Sequence, residues 1–304
     1  MPGTELLRRR LSGPEPLILD GATATGLCAI RPEVHPGGGL ERLSLDQPDA
    51  VVELYTEFLS AGAQVLRTNT FCASERELRR LGLTHQAEDL SRRAAELARE
   101  AADRCDLDPL CLGVIGPGTT SAHEGGEAGT DPGRIRGLLD GGVDGILAET
   151  LPSLRVARRI ADAVRQVSRE VSREVPFLAS FSLTADGELP GGGDAGDLAR
   201  LAEELDLDLL GLNCAFGPEP MDAPLAAVRA AWRGPLGAWP NAGLPDTSGN
   251  HPVWPIDPDA LAAWCSRAAR SHDLRVVGGC CGTSAAHVAA IAEALGQSGG
   301  ATCP

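Results

Sequence analysis

Lysine is absent. All 27 basic residues of this 304-residue chain are arginine, and they face 42 acidic ones, for a net charge of −15 and a pI near 4.8. A chain this acidic offers no basic stripe, which argues against a nucleic-acid partner. It favours solubility and draws cations only mildly. Aromatic residues make up only 3% of the chain, with a single Tyr, so the core has to be built from Ala, Leu, Val and Ile. No apolar run approaches the ~18 residues that span a membrane. The first residues, MPGTELLRRRLSG, carry charge but no stretch that reads as a signal peptide. The nine cysteines are an odd number, and their spacing suggests no secreted disulfide framework. A reducing cytoplasm, where thiols stay free, is the expected location.

What is present is a repeat of short apolar runs, each followed by a longer Ala/Leu/Arg/Glu stretch. Eight strands are predicted, at Leu17–Asp20, Gln64–Thr68, Leu110–Ile115, Gly145–Glu149, Phe177–Leu183, Leu209–Cys214, Leu236–Pro240 and Arg275–Gly279. Helical patterns between them include Ser74–Arg104, Ser153–Glu174, Asp197–Leu205, Asp257–Ser271 and Ser284–Leu295. Alternation of this kind implies parallel strands with helical crossovers. Eight such units predict a single-domain α/β fold, a (β/α)8 TIM barrel over residues 1–295, with 296–304 as a disordered tail. An open doubly wound sheet is the alternative, but the first turn reads DGATATG and lacks GxGxxG. The stretches at 36–39, 191–193 and 240–258 read as loops above the barrel.

In a barrel the chemistry sits where strands end. The residues closing these strands are Asp20, Thr68, Asn69, Gly116, Glu149, Ser180, Ser182, Asn213, Cys214, Asn241, Cys280 and Cys281. The strongest chemical signal is Gly278-Gly279-Cys280-Cys281-Gly282-Thr283, where adjacent thiols sit between glycines that free the backbone to turn. The second is Gly211-Leu212-Asn213-Cys214, two strands earlier. Three thiolates from Cys214, Cys280 and Cys281 suit Zn²⁺, with Zn–S near ~2.3 Å and a fourth position left open for a ligand. Zinc lowers the pKa of an incoming thiol, so a substrate thiol would bind as the nucleophilic thiolate. A lone Cys is more often plain core. Cys28, Cys105, Cys111, Cys265 and Cys303 are read that way. His123 and His251 lie in predicted loops, and no His carries a motif that makes it a base.

At these residues the chain resembles the homocysteine S-methyltransferase family. The matching blocks, in order, are LDGATAT at 19–25, AGAQVLRTNTF at 61–71, GVIGP at 113–117, GGVDGILAETLPSL at 141–154, FSLTADGELPGG at 181–192, GLNCAFGP at 211–218, PNAGLP at 240–245 and GGCCGT at 278–283. The last three are the specific ones. The resemblance implies a zinc-dependent methyltransferase that forms methionine from homocysteine, with Cys214, Cys280 and Cys281 as metal ligands. It also implies Asp20 and Glu149 as the acids that hold the acceptor's α-amino group. The Gly21-Ala22-Thr23 turn would offer backbone N–H groups to the acceptor carboxylate, and Thr68, Asn69 and Asn213 would position the substrates.

The chain departs from the family pattern around the mouth. Gly26 stands where many members carry Glu, residues 31–48 replace a Trp-bearing segment, and Cys72 stands near the position of a Tyr found in betaine-using relatives. Cys72 reads as a bystander or as a fourth, resting ligand. The favoured methyl donor is a cation, the sulfonium of S-methylmethionine or S-adenosylmethionine, whose leaving group departs neutral. The alternatives are a different acceptor thiol, a homocysteine-activating component of a folate or corrinoid system, and a barrel whose zinc is structural or absent. No oligomeric state follows from the sequence pattern.

Overall fold

The structure is a computed structural model that describes residues 2–34, 39–83, 86–118, 131–184, 186–215, 217–248, 252–297 and 303. His123, His251, most of the 36–39 loop and most of the tail beyond Gln297 lie outside the described residues. The eight strands are β1 (Leu17–Ile18), β2 (Val65–Arg67), β3 (Leu110–Ile115), β4 (Gly145–Leu151), β5 (Phe177–Phe181), β6 (Leu209–Cys214), β7 (Leu236–Pro240) and β8 (Val276–Val277). All pairings are parallel, in the order β1-β8-β7-β6-β5-β4-β3-β2. The Leu19–Val65 bridge, with Gln64 N–H donating to Ile18 O and Asp20 N–H to Val65 O, closes β1 onto β2. The predicted (β/α)8 barrel is the observed fold.

Strand side chains alternate between two apolar layers, as a pleat of period two requires. Leu17, Leu19, Val65, Leu112, Val114, Leu147, Leu178, Leu209 and Trp239 fill the barrel interior. Ile18, Leu66, Cys111, Ile146, Ala148, Ala179, Leu210 and Leu212 face the surrounding helices. The helix Pro2–Leu11 crosses the floor, where Leu7 and Leu11 complete the interior cluster. Its Arg8 ties it to Asp208 at 2.6 Å and to Glu174.

Local signals account for the helix starts. Pro occupies the first turn at Pro48, Pro132, Pro218 and Pro258, where its missing N–H costs nothing. Ser74, Ser153, Asp131 and Asp257 cap helices through side-chain oxygens. The predicted Ser74–Arg104 helix is two helices, Glu75–Arg80 and Ala87–Arg104. Between them Gly82 takes a left-handed φ of 74°, which ends the first helix.

Cys105 and Cys303, read from the sequence as unpaired, are joined in a disulfide across 198 residues, with Cα atoms 4.4 Å apart. Nearby in the chain, Gln297 accepts from Gln64 and donates to Pro16 O. No helix among the described residues is long and apolar enough to cross a membrane.

Candidate active site

Two strand ends bring the three sulfurs together. Cys214 closes β6, and Cys280 and Cys281 follow β8 on the Gly278–Gly282 turn. The three Sγ atoms lie within 4.8 Å of one another, and those of Cys280 and Cys281 are 4.0 Å apart. Tetrahedral ligands at ~2.3 Å from zinc sit ~3.8 Å from each other, so the donor set fits. No other His, Cys, Asp or Glu among the described residues joins this group. Cys72 therefore stands apart from it. Its amide donates to Glu41, and burial pushes its thiol up to about 12.

The backbone around the sulfurs is strained. Cys214 and Ala215 both adopt left-handed φ, 62° and 60°, and so does Thr150 (59°) after Glu149. Such conformations in non-glycine residues persist only where the surroundings enforce them. Here β4 shifts register between Ala148 and Leu151, which turns Thr150 toward β6. Asn213 Nδ2 then donates to Thr150 Oγ1 at 2.7 Å and to Cys280 Sγ at 3.8 Å. On the other side Cys281 N–H donates to Asn241 Oδ1, and Asn241 Nδ2 donates to Ala215 O. Gly282, at φ 83°, completes the turn, and a Cβ there would meet the Trp254 ring at 2.2 Å. Thiol donation from Cys280 and Cys281 holds Cys214 down to about 3, while donation to Cys214 pushes Cys280 up to about 11 and Cys281 higher still.

A charged cluster lies beside the sulfurs. Arg67, at the end of β2, is buried between Asp20 and Glu149. Its Nε donates to Asp20 Oδ1 and its Nη1 to Glu149 Oε1, each at 2.7 Å. Its backbone N–H donates to Asp20 Oδ2. Its Nη2 reaches the carbonyls of Asp20, Gly21 and Gly279. Trp239 Nε1 donates to the same Glu149 oxygen at 3.0 Å. Burial pushes Asp20 up to about 6 against the pull of Arg67, and burial likewise raises Glu149. Burial acts to lower Arg67, but the two carboxylates outweigh it and hold the guanidinium charged.

The remaining predicted residues divide. Gly21 and Ala22 lead into the helix Thr23–Ile30, whose N-cap Ala22 has no capping side chain. The first N–H groups of that helix take no backbone partner among the described residues, and Ala22 N–H itself donates to Thr283 O. Gly26 lies tight against Leu54, where a Cβ would meet Cδ1 at 2.7 Å. Thr68 and Asn69 bond to neighbouring strands and loops. Thr68 Oγ1 accepts from Val114 N–H and pairs with Thr70, and Asn69 Nδ2 donates to Leu40 O and Ser44 Oγ. Sequence reasoning gave no role to Arg67 or Trp239. A charge inside the apolar run Val65-Leu66-Arg67 was the available signal, because a buried Arg demands acidic partners.

Known proteins resemble this chain over most of its length. The family model described as homocysteine S-methyltransferase matches residues 17–295. The metallated form of the homocysteine methyltransferase MmuM from Escherichia coli superposes with a TM-score of 0.77 at 26% identity, covering 94% of this chain and 98% of that one. The methionine synthase of Mycobacterium tuberculosis is 32% identical over 297 residues, covering 92% of this chain and 24% of the relative. That of Mycobacterium leprae is 30% identical, covering 95% and 25%. The chain therefore spans about a quarter of the length of these methionine synthases. With the match running from the first strand through the last helix, the chain belongs to the homocysteine S-methyltransferase family.

Proposed function

We propose that this chain transfers a methyl group from a cationic donor, S-methylmethionine or S-adenosylmethionine, to the thiolate of homocysteine, giving methionine. The observation that carries this reading is the set of three cysteine sulfurs within 4.8 Å at the barrel mouth, in a chain of this family. Cys214, Cys280 and Cys281 would hold Zn²⁺, which supplies a lowered pKa to a thiol bound at the remaining coordination position. Asn213 Nδ2 directs an N–H at Cys280 Sγ, and Asn241 fixes the Cys281 amide, so both sulfurs keep their orientation. Glu149 faces the acceptor's ammonium, and the uncapped start of the helix Thr23–Ile30 faces its carboxylate. The acceptor sulfur attacks the methyl carbon as the carbon–sulfur bond of the donor breaks. The sulfonium leaves as a neutral thioether, so no acid catalyst is required. The chain's contribution is alignment and exclusion of water.

A second reading is favoured by the extent of the match to methionine synthases, about a quarter of their length. In that reading the chain activates homocysteine and takes the methyl group from a separate folate- or corrinoid-bearing partner. Methionine formation from homocysteine, assayed with the zinc-loaded protein against each sulfonium and against a methylated corrinoid, decides between them. Turnover with a sulfonium supports the first reading and turnover only with the corrinoid supports the second. Failure with every donor while zinc is bound removes homocysteine as the acceptor.

A further inference from the structure

The Asp20–Arg67–Glu149 cluster changes which acid can reach the acceptor. Both Asp20 oxygens accept charge-assisted or backbone N–H bonds from Arg67, and the Asp20 side chain is fully buried. Glu149 Oε1 accepts from Arg67 and from Trp239, whereas Oε2 has no hydrogen bond among the described residues. Two carboxylates and one guanidinium leave a single negative charge, enough to balance one ammonium group. Arg67 also binds the carbonyls of Gly21, at the opening turn, and Gly279, next to the metal-site cysteines. One guanidinium thus fastens together the ends of three strands that the reaction needs in register.

Building on the reading that Glu149 faces the acceptor's ammonium, we propose that Arg67 occupies both Asp20 oxygens and Glu149 Oε1 and so leaves Oε2 as the one oxygen of the two acids open to that ammonium. Arg67 is then a positioning residue that fixes this carboxylate relative to the cysteine sulfurs, and Asp20 acts only through Arg67. A carboxylate within a constellation of this kind has to be held to about 0.5 Å, and Arg67 is the only cation bonded to either acid among the described residues.

The test measures binding of homocysteine, and of homocysteine lacking its α-amino group, to the zinc-loaded full-length protein by calorimetry, with zinc content determined on each sample. Glu149→Gln is expected to weaken homocysteine about ten- to a hundredfold, the loss of one charged hydrogen-bond partner, with the des-amino analogue and the zinc content little changed. Arg67→Gln is expected to weaken homocysteine selectively, by about tenfold or more. Asp20→Asn is expected to weaken it less. The double variant should bind like Arg67→Gln alone, within about twofold, because the two residues act in series. Should Arg67→Gln not fold, Arg67→Lys takes its place in the cycle, since it keeps the charge but cannot bond both acids and both carbonyls. The proposal is overturned if the Asp20 and Arg67 effects multiply, which would place Asp20 on the ammonium itself. Equal weakening of both ligands by Arg67→Gln also overturns it, because it would mark a purely structural role. A wild-type protein that holds zinc yet fails to bind homocysteine sinks the acceptor reading instead.

Discussion

Arg8 and Arg67 stand at opposite ends of one barrel and do different work. At the floor, Arg8 is 41% exposed in its side chain and pairs with the exposed Glu174 and the partly buried Asp208. At the mouth, Arg67 is 6% exposed and pairs with Asp20 and Glu149, which are about as deeply buried. Exposed ion pairs contribute ~0–1 kcal/mol. Breaking a buried pair costs ~3–5 kcal/mol, because it strands a charge away from water. The floor is therefore held by apolar contact with incidental charge pairs. The mouth keeps costly charges and strained backbone, a pattern that stability alone does not explain.

Substitutions at the two ends should separate along this line. The largest effect is expected at the sulfurs. Cys281→Ala should leave the purified protein with little zinc and lower methyl transfer by more than about a thousandfold, as measured by metal content and turnover. At the floor, Leu7→Ala should destabilise the fold by ~2–5 kcal/mol in urea unfolding and leave the acceptor KM unchanged. A rise in KM with that variant would mean that floor and mouth are coupled.

The third expectation concerns pH. Burial holds Asp20 near 6 rather than 3.8, so its charged form is the one the fold disfavours. The stability this group contributes is fully present below its unfolded value and is lost as pH rises through about 6. Relative to Asp20→Asn, the wild type should thus gain up to about 3 kcal/mol between pH 7 and pH 4 in urea titrations. A difference that does not change with pH would show that the mouth carries no such electrostatic tension. The smallest effect is expected for Arg8→Ala, below about 1 kcal/mol and reduced further by salt.

The barrel was legible in the sequence because short apolar runs, most of them closed by a polar residue, glycine or cysteine, alternate with longer helical stretches. The convergence of the three cysteines was legible because Cys280 and Cys281 sit between glycines, one of which, Gly282, does take a left-handed φ. The break at Gly82 was hidden inside a continuous helical pattern, where one glycine is weak punctuation. The Cys105–Cys303 bond was not legible, since neither residue has local context and 198 residues separate them. Arg67 and Trp239 were missed for a different reason. Their roles arise from side chains of four separate strand ends meeting inside the barrel, and spacing along one chain carries no record of that meeting.

The central claim is that Cys214, Cys280 and Cys281 together hold zinc and leave one position for the acceptor. Zinc K-edge X-ray absorption of the full-length protein tests it most directly. Three sulfur neighbours at ~2.3 Å are expected in the free protein, rising to four when homocysteine is added. Fewer than three sulfurs, or a sulfur count that homocysteine leaves unchanged, would contradict it.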